Sequence, residues 1–151
     1  MLTRTPEQIA LSETSRLCRE IVHLSQDAAD QASDSGVRLL MGELVEAHRR
    51  LLASVDERIR ATGDLPRAPD PELEAVKELA TRARKVFASD PDTVLIDERV
   101  DGEQALLAQL AEALALDLAP DTRAQLEAVQ RTARDLLQKL HDERERRNPP
   151  A

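Results

Sequence analysis

Apolar residues recur along this chain at alternating spacings of three and four, the period that keeps side chains on one face of an α-helix. The first such line is Ala10, Leu17, Ile21, Leu24 and Ala28. Thr5 precedes it as an N-cap, Pro6 takes the first helical position and Gln8 stands three after the cap, so a capping box predicts a helix over about 6–32. The turn Ser33-Asp34-Ser35-Gly36 opens a second helix, 36–62, stopped by Gly63; its line is Val37, Met41, Leu44, His48, Leu51, Val55 and Ile59. Residues 63–70 (GDLPRAPD) read as a linker. Asp70-Pro71 then starts a shorter helix, 71–88, with Leu73, Val76, Ala80, Ala83 and Phe87 as its buried side. Asp90-Pro91 repeats the device for a fourth helix, 91–118, whose line is Ile96, Val100, Glu103, Leu107, Leu110 and Leu114. Pro120-Asp121 starts the last, 121–146, along Leu126, Val129, Ala133, Leu136, Leu137 and Leu140, and it frays into the charged tail DERERRNPPA. Thr93–Ile96 is a strand candidate too short and too close to a helix cap to stand.

Four helices of about 26 residues, each roughly 40 Å long, and one of about 18 residues call for a bundle. Short turns at 33–35 and 119–120 make two antiparallel hairpins. The linker and short helix are long enough to return the chain along the bundle, a crossover of ferritin-like topology. The expected fold is therefore all-α: one domain over 1–151, a ferritin-like up-down four-helix bundle of two hairpins joined by a crossover that contains the short helix.

Composition narrows the chemistry. Hydrophobic residues are 41% and charged residues 33% of the 151, enough for one domain with a core. Phe87 is the sole aromatic, which removes base-stacking platforms and tyrosyl chemistry. A net charge of −8 opposes a phosphate backbone, so no nucleic-acid partner is expected. Cys18 stands alone, which excludes an intrachain disulfide and a thiolate metal cage. No apolar run approaches the roughly 18 residues that span a bilayer, and Met1–Ala10 lacks the pattern of a secretory signal, so the expectation is a cytoplasmic protein with no membrane partner.

The run GEQALLAQLAEALALDLAPDTRAQLEAVQ, with the first hairpin from AADQASD through IRATGDLP, resembles a small bacterial ferritin-like four-helix-bundle family of unassigned function. The resemblance covers roughly residues 14–140, and its most specific points are Gly102-Glu103 and Leu118-Ala119-Pro120. Family members carry an aromatic where Leu110 stands and an Asp-Gly-Glu stretch where this chain has Glu20-Ile21-Val22. What the resemblance implies is a fold and a loose association with stress proteins, without an established reaction.

Two polar residues interrupt the apolar lines. At about 100° per residue, His48 and Glu103 both point inward. Each lies twelve residues from its helix start, Gly36 and Pro91, so both sit about 18 Å down the bundle if the crossover returns the chain to the same end. They are expected to be neighbours, with Glu20 at a similar height on the flank of the first helix. A hydrogen-bonded His48–Glu103 pair that fixes helix register is the simplest reading, because either group buried alone is costly.

A metal centre is the sharper reading, since ferritin-like carboxylate proteins hold two irons with a Glu from each of two helices and Glu-x-x-His from each of the others. The ligand count opposes it. A Glu needed at 45 is Val45, Glu43 and Glu46 project outward, and Ala133 and Leu136 occupy the facing level on the last helix. His141 follows Gln138, and the literal Glu-x-x-His, Glu20 to His23, lies on the outer side. No metal and no cofactor is expected; the fallback for a degenerate carboxylate–histidine metal-binding protein is Glu20, His48 and Glu103. Phosphoryl transfer on His48 in AHRRLLAS fails because an acceptor must face solvent. No Gly-rich phosphate loop, Ser-His-Asp set or cysteine nucleophile with a base is present, so the reading is non-enzymatic.

Second apolar lines exist on two helices: Leu11, Ser15, Cys18, Val22, Ser25, Ala29 and Ala32 on the first, and Leu95, Gly102, Leu106 and Ala113 on the fourth. A helix apolar on two sides needs two coverings. One side is expected to take the short helix and the other a second copy or a protein partner. Gly42 and Gly102, costly inside helices, are expected to allow close backbone packing. Arg49-Arg50 and Asp142–Arg147 read as solvated charge. The sequence thus points to an interaction protein.

Overall fold

The computed structural model describes residues 3–67, 75–77, 79–80, 82–84 and 89–148. Its long helices are α1 (Pro6–Gln31), α2 (Ser35–Ala61), α3 (Pro91–Leu114) and α4 (Pro120–Arg147). The described residues between 75 and 84 are helical, and no strand is present among the described residues.

Local chemistry sets the ends. Thr5 and Gln8 form the capping box, with the Gln8 amide donating to Thr5 Oγ1 at 3.1 Å. Asp34 caps α2 by accepting from the amides of Gly36 and Val37. Gly63, at φ 87°, takes the left-handed turn that ends α2, a conformation that a side chain would oppose. Asp90 departs from the expected cap, because its carboxylate takes the Thr93 hydroxyl and Arg147 in place of a backbone amide.

Helix α3 ends at Leu114, short of the expected 118, and the turn runs 115–119 rather than 119–120. Arg123 causes the difference by reaching back to the carbonyls of Leu114 and Leu116 at 2.9 and 2.8 Å. The charged end of α4 does not fray as expected. Arg147 binds Asp34 at 3.3 Å and Asp90 at 2.8 Å, and Arg144 binds Asp97, so the helix continues to Arg147.

Gln8 Nε2 donates to the carbonyl of Thr62, and the Ala119 amide donates to Glu7. The start of α1, the end of α2 and the α3–α4 turn therefore share one end of the bundle. At the other end the Ser33 and Asp34 amides donate to Asp92 near the start of α3. The helices run up, down, down, up, and every adjacent pair is antiparallel: α1 with α2 and α3, α4 with α2 and α3. The expected crossover topology follows, with α2 and α3 on a diagonal.

The described residues of the crossover face opposite to expectation. Lys77, Arg82 and Arg84 pair with Glu20, Asp27 and Glu98 on α1 and α3, so its charged side meets the bundle. Val76, Ala80 and Ala83 are exposed, Val76 by 64%, and Leu79 is exposed by 69%. Leu73 and Phe87, the other expected members of its buried side, lie outside the described residues.

The core is two apolar clusters. One joins Leu11, Ile21, Val55, Ile59, Leu110 and Leu126; the other joins Val37, Met41, Leu44, Ile96, Leu136 and Leu140. Full burial of one such side chain is worth about 1.5–3 kcal/mol, whereas an exposed ion pair contributes about 0–1 kcal/mol. The clusters hold the bundle; the ion pairs position its ends and the crossover. Leu11, Ser15, Cys18, Ser25 and Ala32 of the second line of α1 are buried inside the bundle, where Ser15 donates to Asp56 of α2 at 2.6 Å, while Val22 and Ala29 are half-buried; Leu95, Leu106 and Ala113 of α3 also enter the core. Most of each face is therefore covered by neighbouring helices of the bundle, without the short helix. Four helices in a closed square each touch two neighbours, which accounts for both lines.

Candidate functional site

Between the two apolar clusters lies a polar layer. On α2 the fully buried His48 stands between Leu44 of one cluster and Val55 of the other. On α3 Arg99 and Glu103 stand between Ile96 and Leu106. On α1 Ser25 falls between Ile21 and Ala28.

His48 Nε2 and Glu103 Oε1 are 2.6 Å apart across the diagonal, both side chains fully enclosed. One proton lies between two heavy atoms, and each group supplies what the other lacks. An isolated buried charge costs several kcal/mol, and the pairing offsets that cost. His48 Nδ1 and Glu103 Oε2 have no hydrogen-bond partner among the described residues; neither do Ser25 Oγ and Arg99 Nη1.

Burial pulls the Arg99 guanidinium below its usual pKa, opposed by the nearby Glu98, Glu103, Glu20 and Asp101 carboxylates. Burial likewise pushes the Cys18 thiol up to about 12, with the Glu103 and Asp56 charges adding to it. That thiol stays protonated at neutral pH and is a poor nucleophile.

The expected neighbours His48 and Glu103 are brought together, and Glu20 is not. Its carboxylate turns to the crossover, 2.6 Å from Lys77 Nζ and 3.5 Å from Arg16. The fallback set Glu20, His48 and Glu103 therefore does not assemble. Glu43 and Glu46 are exposed, and Glu43 binds Lys139. Val45, Ala133 and Leu136 are buried hydrocarbon. A two-iron carboxylate centre needs about six ligands from four helices, and these residues do not fit it. Among the described residues no group of three or more His, Cys, Asp or Glu is placed to hold a metal ion. Burial also keeps His48 from the solvent contact a phosphoryl acceptor requires.

Sequence reasoning missed Arg99 and Asp92. Arg99 reads as a surface charge, yet it lies beside Gly102, whose missing Cβ would stand 3.4 Å from Arg99 Nη1 and 3.7 Å from Ile21. An arginine three before a helical glycine on an apolar flank was the available signal. Gly102 does serve close packing as expected, whereas nothing lies within 4 Å of a Cβ at Gly42. Asp92 reads as a first-turn acid that favours the helix dipole. It is 3% exposed and binds two amides of the α1–α2 turn, a long-range role with no local signature.

No helix among the described residues is long and apolar enough to cross a membrane. No family model matches the sequence, and no curated protein is significantly similar to it. Among solved structures, the chain is similar to a two-domain protein with DJ-1/ThiJ/PfpI-like and ferritin-like domains from Anabaena variabilis ATCC 29413. The TM-score is 0.74 at 14% identity; the match covers 98% of this chain and 40% of that one. At this identity the likeness concerns the fold alone, and that fold is an all-α, ferritin-like helical bundle.

Proposed function

We propose that this protein is a non-enzymatic ferritin-like bundle that works by binding other protein surfaces, its His48–Glu103 pair holding helix register and performing no reaction. The observation that carries the reading is the 2.6 Å bond between two fully enclosed groups, in the layer where a ferritin-like centre would need carboxylates. A closed pair on a diagonal fixes how α2 and α3 slide past one another, because a shift of one residue moves each group by about 1.5 Å and 100°. Apolar side chains meanwhile stand on the surface, Leu39 at 70% and Leu79 at 69% exposure, which suits association.

Elemental analysis of protein purified without chelator tests this reading. It predicts iron, manganese and zinc far below one ion per chain. Stoichiometric metal that disappears in Glu103→Gln would overturn it.

A further inference from the structure

The outer face of α2 is a shallow trough of about 830 Å³, bounded by α1 and α4. Its floor includes Ala29, Gly42, Val45, Ala47 and Leu136, and Leu39 stands at its edge, 70% exposed. Gly42 lies on this face with no described residue within 4 Å of a Cβ, so the glycine leaves an opening that the described residues do not fill. An interior glycine costs a helix about 1 kcal/mol against alanine, and no contact among the described residues offsets it.

We propose that this trough receives α2 of a second copy of the chain, antiparallel, with Gly42 of both copies at the two-fold axis. A two-fold contact requires a surface complementary to itself under reversal. With Gly42 at the centre, Arg38 of one copy stands at the height of Glu46 of the other, each four residues from the axis, and the same pair repeats on the far side. Moving the axis to residue 44 would set Arg38 against Arg50, so charge favours the glycine-centred register over that one. Within this chain Arg38 uses Nη2 on the Ala32 carbonyl, which holds the guanidinium at the trough. Among the described residues Glu46 pairs with the exposed Arg49 beside it, at 3.3 Å. Leu39 then stands at the height of Val45 in the other copy, each three residues from the axis, and the two glycines let the backbones close. The proposal rests on the reading that the protein works by association and names the partner. The two fail separately, since metal content tests the first and mass in solution the second.

Sedimentation equilibrium of the full chain, from about 1 to about 100 µM, is the test. The expected mass at the upper end is twice 16.8 kDa. Gly42→Leu, whose Cβ meets no described residue within 4 Å in the isolated chain, is expected to raise the dimer dissociation constant at least about tenfold with unchanged helicity. Arg38→Glu and Glu46→Arg are each expected to weaken the dimer, and the double exchange to restore it within about threefold. A monomer throughout the range, or a dimer insensitive to Gly42→Leu and to the single charge reversals, would overturn the proposal.

Discussion

His48 and Glu103 stand on diagonally opposite, parallel helices and meet at 2.6 Å in the layer that divides the core into two apolar clusters. Because α2 and α3 have no extensive direct packing, this bond is a specific tie across the bundle. Other polar contacts lie at the ends of the bundle and on the crossover, and they respond to pH and salt in ways the core does not.

The end clasp depends on two carboxylates. Backbone amides, first that of Val37, hold Asp34 below the usual carboxylate pKa, and the hydrogen bond from Arg147 does the same for Asp90. Both pKa values are depressed in the folded state, so their stabilisation is present above the ordinary carboxylate pKa and is lost as pH falls through the folded values. The melting temperature of wild-type protein is expected to fall between about pH 4 and pH 2, and that of Asp90→Asn to fall less over the same interval. A flat profile in wild type would show that the clasp contributes nothing.

The crossover is tied through charge. Lys77–Glu20, Arg82–Asp27 and Arg84–Glu98 join it to α1 and α3, while Val76 and Leu79 point outward. Ion pairs of this exposure weaken as salt shortens the Debye length from about 10 Å at 0.1 M to about 3 Å at 1 M. Hydrogen exchange at residues 75–84 should accelerate in 1 M salt, with α1 to α4 little changed. Unchanged protection there would mean that apolar contacts hold the segment.

Two glycines should respond oppositely to alanine. Gly42→Ala meets nothing and gains helix propensity, so the monomer, measured at low concentration, is expected to gain up to about 1 kcal/mol. Gly63→Ala places a side chain at φ 87° and is expected to lose about 1 kcal/mol. Urea unfolding of both variants checks the signs.

Cys18 should report global opening. With its thiol pushed up to about 12 by burial, it is expected to resist a thiol reagent at pH 8 in the native state and to react promptly in denaturant. Fast native labelling would contradict the sealed core between α1 and α2.

Much of the bundle was legible in the sequence, for identifiable reasons. The three-and-four spacing placed Met41, Leu44, His48 and Val55 on one line because α2 is long, regular and packed along its whole length. Equal distances from Gly36 and Pro91 set His48 and Glu103 at one height because both helices start at the same end. What the pattern did not contain was geometry between distant segments. Asp92 finds amides 58 and 59 residues away, Arg123 stops α3 from the next helix, and Glu20 is drawn outward by Lys77. The crossover misled for a different reason: an apolar line shows which side of a helix is greasy, and the partners' charges decide which side is turned inward. Arg99 combined both difficulties, since its burial depends on a slot beside Gly102 that only the packed helices create.

The most direct test of the register-holding role proposed for His48 and Glu103 is a double-mutant cycle by urea unfolding with His48→Leu, Glu103→Leu and the combined variant. Each single change strands a buried polar partner and is expected to cost about 3–5 kcal/mol. The combined variant, apolar on both sides, is expected to cost less than either. Losses that simply add, with a coupling below about 0.5 kcal/mol, would contradict the account, because the two side chains would then not depend on one another.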